Sequence, residues 1–309
     1  VSFVRTVLGD VAQDQLGLCY AHEHVVIRGK WIEENFPDFQ LDDLEAITAE
    51  LMELRLAGVC TMIDAMPTDS GRSADDLILI SQRTTMNIVA ATGLHLRIYY
   101  PGDHWFDTID DNALVDLFVG EITVSMKDSR ARAGVIKVAG SLDRLTELER
   151  RNFRAAGRAQ RQTGCPILTH TEQGAAALEQ VQILIEAGAD PAHVVLSHLD
   201  RIGDIAYHRE VLSTGVRLEF DSAFRWGSKP NQTLQLILAL APEFPDQIVL
   251  GMDAARTSYW RSYGGKPGLR YLVDEFGPIL VAAGLEEPLL HKILFENPAG
   301  AFAFCAAEI

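Results

Sequence analysis

Cysteine is scarce in this chain: Cys19, Cys60, Cys165 and Cys305 stand far apart among 309 residues, with no Cys-x-x-Cys pair. That spacing argues against a zinc knuckle or a redox dithiol and predicts buried free thiols in a reducing, cytoplasmic compartment. Positive charge is also in short supply. Lys and Arg number 27 against 43 Asp and Glu, a formal net charge of −16, which excludes a broad surface for nucleic acid or anionic membrane but leaves local cations able to hold an anionic substrate. No apolar run approaches a membrane span and no signal peptide is visible, although a processed leader ahead of Val1 stays open. No linker, repeat or low-complexity segment divides the chain, so a single domain over residues 1–309 is expected. No Gly-x-Gly-x-x-Gly follows the first apolar run, and no Gly-x-Ser-x-Gly elbow occurs, which removes the dinucleotide fold and the serine hydrolase signature.

What the chain does have is alternation. Short β-branched apolar runs at residues 18–22, 59–64, 87–92, 135–139, 166–170, 194–198, 216–221 and 247–252 read as strands. Between and after them, residues 41–57, 74–84, 110–126, 145–163, 175–187, 202–213, 232–240 and 269–283 show helical periodicity, and residues 289–295 and 298–304 read as terminal caps. Gly58, Gly164, Gly188 and Gly215 fall where helices should stop. Eight strand-helix units in about 300 residues predict a parallel (β/α)8 barrel. The segment 1–17, with turn signals at Gly9-Asp10 and Gly17, is expected to form a small N-terminal β-hairpin over the barrel floor.

In such a barrel, chemistry is built at the C-terminal ends of the strands, and polar residues collect there. His22 and His24 end the first run two residues apart, on one face of a strand. His170 ends the fifth run, His198 the sixth and Asp253 the eighth, while Lys137 lies inside the fourth. Singly each has a plain structural reading: a strand-end histidine serves as well as a hydrogen-bonded core residue, and Asp253 as a helix cap. Together, four histidines, a lysine and an aspartate converge where a barrel has its mouth, and Lys137 needs a partner because a lone buried ammonium costs several kcal/mol. Nitrogen and carboxylate without thiolate suit zinc, with manganese, cobalt or iron as alternatives.

On these residues, with Arg5-Thr6-Val7-Leu8-Gly9, Ala21-His22-Glu23-His24, Thr169-His170-Thr171, Ser197-His198-Leu199-Asp200-Arg201, Met252-Asp253 and Glu296-Asn297-Pro298, nearly the whole chain resembles the phosphotriesterase family of the amidohydrolase superfamily. The resemblance implies a binuclear metal centre, with His22, His24 and Asp253 on the buried ion and His170 and His198 on the exposed one. Lys137, carboxylated by carbon dioxide to a carbamate, would bridge them. A carbamate makes sense there, since it is an anion with two oxygens, whereas an ammonium would be repelled by two dications. It also implies a bridging hydroxide that attacks a carbonyl or phosphoryl centre, with Asp253 carrying the proton to the leaving oxygen. A homodimer is the expected assembly.

Family members act on lactones, phosphotriesters or acylated amino acids, so the loops must choose the substrate. His95, Tyr99 and Tyr100 follow the third strand, Asp221 and Arg225 the seventh, and Arg256, Tyr259, Trp260, Arg261 and Lys266 the eighth. The last group is expected to bind a substrate carboxylate or phosphate, with surface ion pairing as the alternative. Asp221 stands about where the family's organophosphate hydrolases place a histidine, which weakens that activity. Glu172 and Asp200 are candidates to orient the histidines. The expected function is a metal-dependent hydrolase of a lactone or related carboxylic ester. Triester or N-acyl amino acid hydrolysis and a metal-containing, non-catalytic binding barrel are the alternatives.

Overall fold

The fold is that of a computed structural model describing residues 2–127, 129–227 and 229–307; Val1, at the start of the expected hairpin, and Ile309, at the end of the expected domain, lie outside the described residues. The N-terminal hairpin pairs β1 (Phe3–Thr6) with β2 (Gly9–Ala12) antiparallel. Eight parallel strands follow in sequential order: β3 (Leu18–Glu23), β4 (Val59–Asp64), β5 (Asn87–Leu94), β6 (Val135–Gly140), β7 (Ile167–Thr171), β8 (Val194–Ser197), β9 (Arg217–Phe220) and β10 (Ile248–Leu250). They form a nearly closed TIM barrel. Across the seam the Asp253 amide donates to the His22 carbonyl at 2.9 Å. The Glu23 carboxylate accepts from the Met252 and Ala254 amides at 2.7 and 3.3 Å.

Helices cover the strands: α1 (Lys30–Asn35), α2 (Leu44–Leu56), α3 (Ala74–Thr84), α4 (Asp111–Thr123), α5 (Glu147–Thr163), α6 (Ala177–Glu186), α7 (Ile205–Ser213) and α8 (Gln232–Leu240). The C-terminal part holds α9 (Gly277–Ala282), α10 (Glu287–His291) and α11 (Asn297–Ala301). The periodic stretches 269–283 and 289–295 are not uniform α-helices: wide π-turns occupy Leu272–Phe276 and Lys292–Glu296. Each ends two residues before a proline, Pro278 or Pro298. A proline ring clashes with the carbonyl four residues back and donates no hydrogen bond, and a widened turn relieves both.

Two apolar layers result from the period-two alternation of the strands. Cys19, Ala21, Ile63, Val89, Ala91, Val135, Leu168, Val195 and Val249 point into the barrel, where Ala301 and Phe302 from the C-terminal segment plug the floor. Ile88, Ile136, Val138, Ile167, Leu196 and Phe220 point outward against the helices. All four cysteines are free, but only Cys19 and Cys165 are buried; Cys60 and Cys305 are half-buried, because they fall at the strand entry and in the C-terminal tail.

One close approach fixes the wall beside Lys137. Gly93 has φ +105, and a Cβ there would lie 1.9 Å from the Lys137 carbonyl oxygen. Gly93→Ala therefore combines backbone strain with a clash against main chain, which cannot yield as a side chain can. The expected loss is at least ~2 kcal/mol of stability, read from the urea midpoint.

Candidate active site

Irregularities in the strands, rather than ideal geometry, bring the polar residues together. On β6 the alternation is simple: Val135 and Lys137 face inward. Strand β3 is not regular. Tyr20 lies opposite Met62 and Glu23 opposite Asp64, so three steps on β3 match two on β4. That bulge lets His22 and His24 turn into the barrel although Cys19 and Ala21 already do. His198 directly follows the inward Ser197, and it too reaches the interior because its backbone is left-handed, φ 68. Asp253, after β10, is also left-handed, at φ 46. Non-glycine residues rarely adopt this region, and such strain collects at functional sites.

The Lys137 amine is fully buried, 3.3 Å from His22 Nε2. Burial pushes it down to about 8. His22 Nδ1 lies 2.8 Å from Ser197 Oγ and 3.4 Å from the Glu219 carboxylate. Asp253 meets His24 Nε2 through Oδ1 at 3.2 Å, and its Oδ2 accepts from Arg201 and Arg225, each at 3.2 Å. His170 Nε2 is 3.0 Å from Glu172, and the rings of His170 and His198 stand 4.6 Å apart. Asp221 hydrogen-bonds His198 Nδ1.

Burial is the largest influence on His22, His95, His170, His198, Glu219, Asp221 and Asp253. It lowers His22 well below the ordinary histidine value, takes His198 down to about 4, and lowers His170 and His95 as well. These imidazoles are neutral near pH 7, as metal ligation requires. Burial also opposes ionisation of Asp253, but the His24 hydrogen bond and the Arg225 charge outweigh it and hold the carboxyl well below its usual range. Glu219 is raised strongly, by burial and then by Asp221 beside it, whereas the His198 contact keeps Asp221 ionised against its own burial.

The donor atoms of His22, His24 and Asp253 lie within 4.8 Å of one another, and so do those of His22, His198, Glu219 and Asp221. Among these residues, His24 Nδ1 and both Glu219 oxygens are buried without a partner. Such atoms carry an unmet desolvation cost, and a cluster of neutral imidazoles and carboxylates is the donor set of divalent ions such as zinc. The residues fit the group. His170 belongs to neither cluster, since its Nε2 is turned to Glu172.

His22, His24, His170, His198 and Asp253 line a cavity of about 350 Å3. Of the residues singled out as substrate contacts, His95, Tyr99, Arg225, Arg256 and Tyr259 line it. Three do not. Tyr100 is buried beneath the loop, its hydroxyl accepting from the His95 amide at 2.8 Å. Asp221 sits below His198 as that ring's anchor. Lys266 is exposed on the surface, outside the lining. The expected cationic cluster thus disperses because the loop coils outward: Trp260 is buried with its indole donating to the Ala254 carbonyl, and Arg261 donates to the Pro267 carbonyl. Of that group's cations, Arg256 reaches the cavity, beside Tyr259, with its guanidinium 4.6 Å from the Phe39 ring centre. Asp200 orients no histidine; it accepts from the Ser222 amide and the Thr233 hydroxyl.

Glu219 and Arg201 are the residues that the sequence argument passed over. The signal for Glu219 was present: a charged residue alternating with Leu218 and Phe220 in a buried strand is as costly as Lys137. Arg201 lay only in a motif, with nothing local to show that it folds back onto Asp253.

The chain is similar to known proteins over nearly its whole length. A phospho-furanose lactonase of Mycoplasmopsis agalactiae is 33% identical, the match covering 98% of this chain and 92% of that protein. The crystal structure of the lactonase Lmo2620 from Listeria monocytogenes superposes with a TM-score of 0.93 at 32% identity, over 98% of this chain and all, 100%, of that one. The phosphotriesterase homology protein from Escherichia coli, solved with phosphate in its active site, gives a TM-score of 0.88 at 29% identity, over 94% of this chain and 99% of that one. Residues 2–302 match the sequence profile of the Phosphotriesterase family, and the chain therefore belongs to that family of hydrolases.

Proposed function

We propose that this protein is a binuclear-metal hydrolase that opens a lactone bearing an anionic group, its whole length acting as one catalytic domain. The observation that carries the reading is the placement of His22, His24, His170, His198 and Asp253 in the lining of one cavity that also holds Arg256, with the buried Lys137 amine 3.3 Å from His22. Lactonases among the relatives support the substrate class, and one of them is named for a phospho-furanose lactone.

His22, His24 and Asp253 would hold one ion and His170 and His198 the other, with Lys137 between them as a carbamate. Zinc suits the donors best, and manganese, cobalt or iron would also bind. When bound, such ions polarise the lactone carbonyl and make water a competent nucleophile near neutral pH. The chain's own residues do the rest. Asp253, ionised and gripped by Arg201 and Arg225, takes the proton of the attacking water and passes it to the ring oxygen as the C–O bond breaks. Ser197 holds the His22 ring, with the Glu219 carboxylate beside it at 3.4 Å, and Asp221 holds the His198 ring. Tyr99, Phe39 and Met66 give the cavity its apolar lining.

Arg256 is the residue proposed to face the substrate's anionic group, since it is half-exposed and only loosely paired with Asp38 at 3.6 Å. Arg256→Ala is expected to raise KM for a phosphate-bearing lactone by ~10-fold or more and to leave a neutral lactone of the same ring nearly unchanged. Equal effects on both substrates would remove Arg256 from recognition.

The reading is tested by loading the protein with zinc or manganese in the presence of bicarbonate and assaying a lactone panel beside phosphotriesters and N-acyl amino acids. Lactone opening should dominate. Fast triester or amide turnover without lactone opening would overturn the ranking, and neither turnover nor bound metal would favour a ligand-binding barrel. We further place the protein in the cytoplasm as a homodimer, with its free thiols intact in a reducing compartment.

A further inference from the structure

The floor of the barrel, at the opposite end from the cavity, carries another set of metal-type donors. Asp190 and His193 lie on the turn just ahead of β8, and Cys305 on the tail beyond α11. One donor atom from each falls within 4.8 Å of the others. We propose that Asp190, His193 and Cys305 form a structural site for a zinc-like divalent cation, completed by water, which ties the C-terminal tail to the barrel.

The ligand types are the first argument. Thiolate, imidazole and carboxylate in one cluster make a zinc donor set, and three protein ligands leave one position for solvent. Their placement is the second. Asp190 caps a 3-10 turn, Pro191–His193, in which residues three apart eclipse on one side. The buried Gln160 side chain of α5 clamps that turn at both ends, accepting from the Asp190 amide at 2.7 Å and donating to the His193 carbonyl at 3.0 Å. Cys305 is fixed equally well. Its amide donates to the Gly164 carbonyl at 2.9 Å, and a Cβ on Gly164 would lie 2.0 Å from the Cys305 carbonyl oxygen, so the two backbones are in contact. Its neighbour Phe304 donates to the Phe3 carbonyl of the hairpin at 2.9 Å. The ligands are therefore held before any ion arrives.

The third argument is a specific vacancy in the hydrogen bonding. His193 Nδ1 is buried and has no hydrogen-bond partner. A neutral imidazole keeps a lone pair on one ring nitrogen, and a buried nitrogen without a partner is the place for a metal to take it up. Asp190 uses Oδ1 to accept from the Ala192 amide at 3.0 Å. The nearby cation, Arg217, is committed to the carbonyls of Ala192, Asp246 and Asn297, all within 3.0 Å. Binding would exchange the Cys305 thiol proton, released to solvent, for the sulfur-metal bond. The ligands come from distant segments, so no compact motif marks the site in the sequence.

Cobalt distinguishes this site from the cavity cage, which contains no thiolate. Cobalt in large excess over the full-length protein should produce a thiolate-to-cobalt charge-transfer band. The band should vanish in Cys305→Ser and in His193→Ala and persist in Cys165→Ala, while hydrolytic turnover stays at the wild-type level in all three. Metal analysis should show one ion fewer per chain in Cys305→Ser, and zinc should raise the Tm of the wild type more than that of this variant. The proposal is overturned if the wild type develops no such band, or if Cys305→Ser retains it.

Discussion

Asp253→Asn should lower kcat for lactone opening by roughly 10²–10⁴-fold, the range contributed by a positioned proton carrier. Asparagine keeps the shape but cannot accept the proton, and it contributes no charge between His24 on one side and Arg201 and Arg225 on the other. The same change removes an anionic donor from the His22, His24 and Asp253 cluster, so metal content should fall with turnover. Steady-state kinetics together with metal analysis separates the two contributions. A variant that loses turnover but retains its metal assigns the loss to proton transfer. A variant with wild-type kcat would exclude Asp253 from the chemistry.

The largest effect on stability is expected away from the site, at Glu121. Its carboxylate on α4 takes two bonds from Arg72, at 2.6 and 2.8 Å, and one from the Thr68 hydroxyl at 2.8 Å, with Arg72 and Glu121 both almost fully enclosed. Arg72 also donates to the Ala91 carbonyl of β5 at 2.6 Å, so the pair joins α4, the loop after β4 and the barrel wall. Glu121→Leu would leave the guanidinium buried without its anion, at a cost of about 3–5 kcal/mol. Burial alone would raise the Glu121 carboxyl, but the Arg72 contacts outweigh it and set the folded value below the ordinary 4.5. A depressed carboxylate stabilises fully above its unfolded value and loses that contribution as pH falls through its folded value. The stability gap between wild type and Glu121→Gln should therefore be widest near neutrality and close in acid, below pH 4.5. Urea titrations at a series of pH values measure it, and a gap independent of pH would contradict the assignment.

The barrel was legible because its evidence is repetitive: eight buried runs separated by amphipathic stretches leave little choice of topology, and the hairpin's turn at Gly9-Asp10 is local chemistry. Site positions were legible where a polar residue interrupts an apolar run, as with Lys137 in Val135–Gly140. What could not be read was how the side chains are aimed. Strict alternation would put either Ala21 or His22 inward, and the bulge against β4 puts both there. The left-handed backbones at His198 and Asp253 are tertiary in origin, since neither residue type demands them. The loop after β10 misled for a related reason. Its cations are adjacent in sequence, but Trp260 enters the core and turns Arg261 and Lys266 away from the cavity. Glu219 lies inside the strand Arg217–Phe220 instead of at its end, where the chemistry of a barrel collects.

An electron-density map of the metal-loaded protein, with anomalous differences at the metal edge, tests the account most directly. Two peaks should appear inside the cage of His22, His24, His170, His198 and Asp253, with density extending from Lys137 Nζ as a carbamate between them. A bare Lys137 amine with no peak in the cage would contradict it.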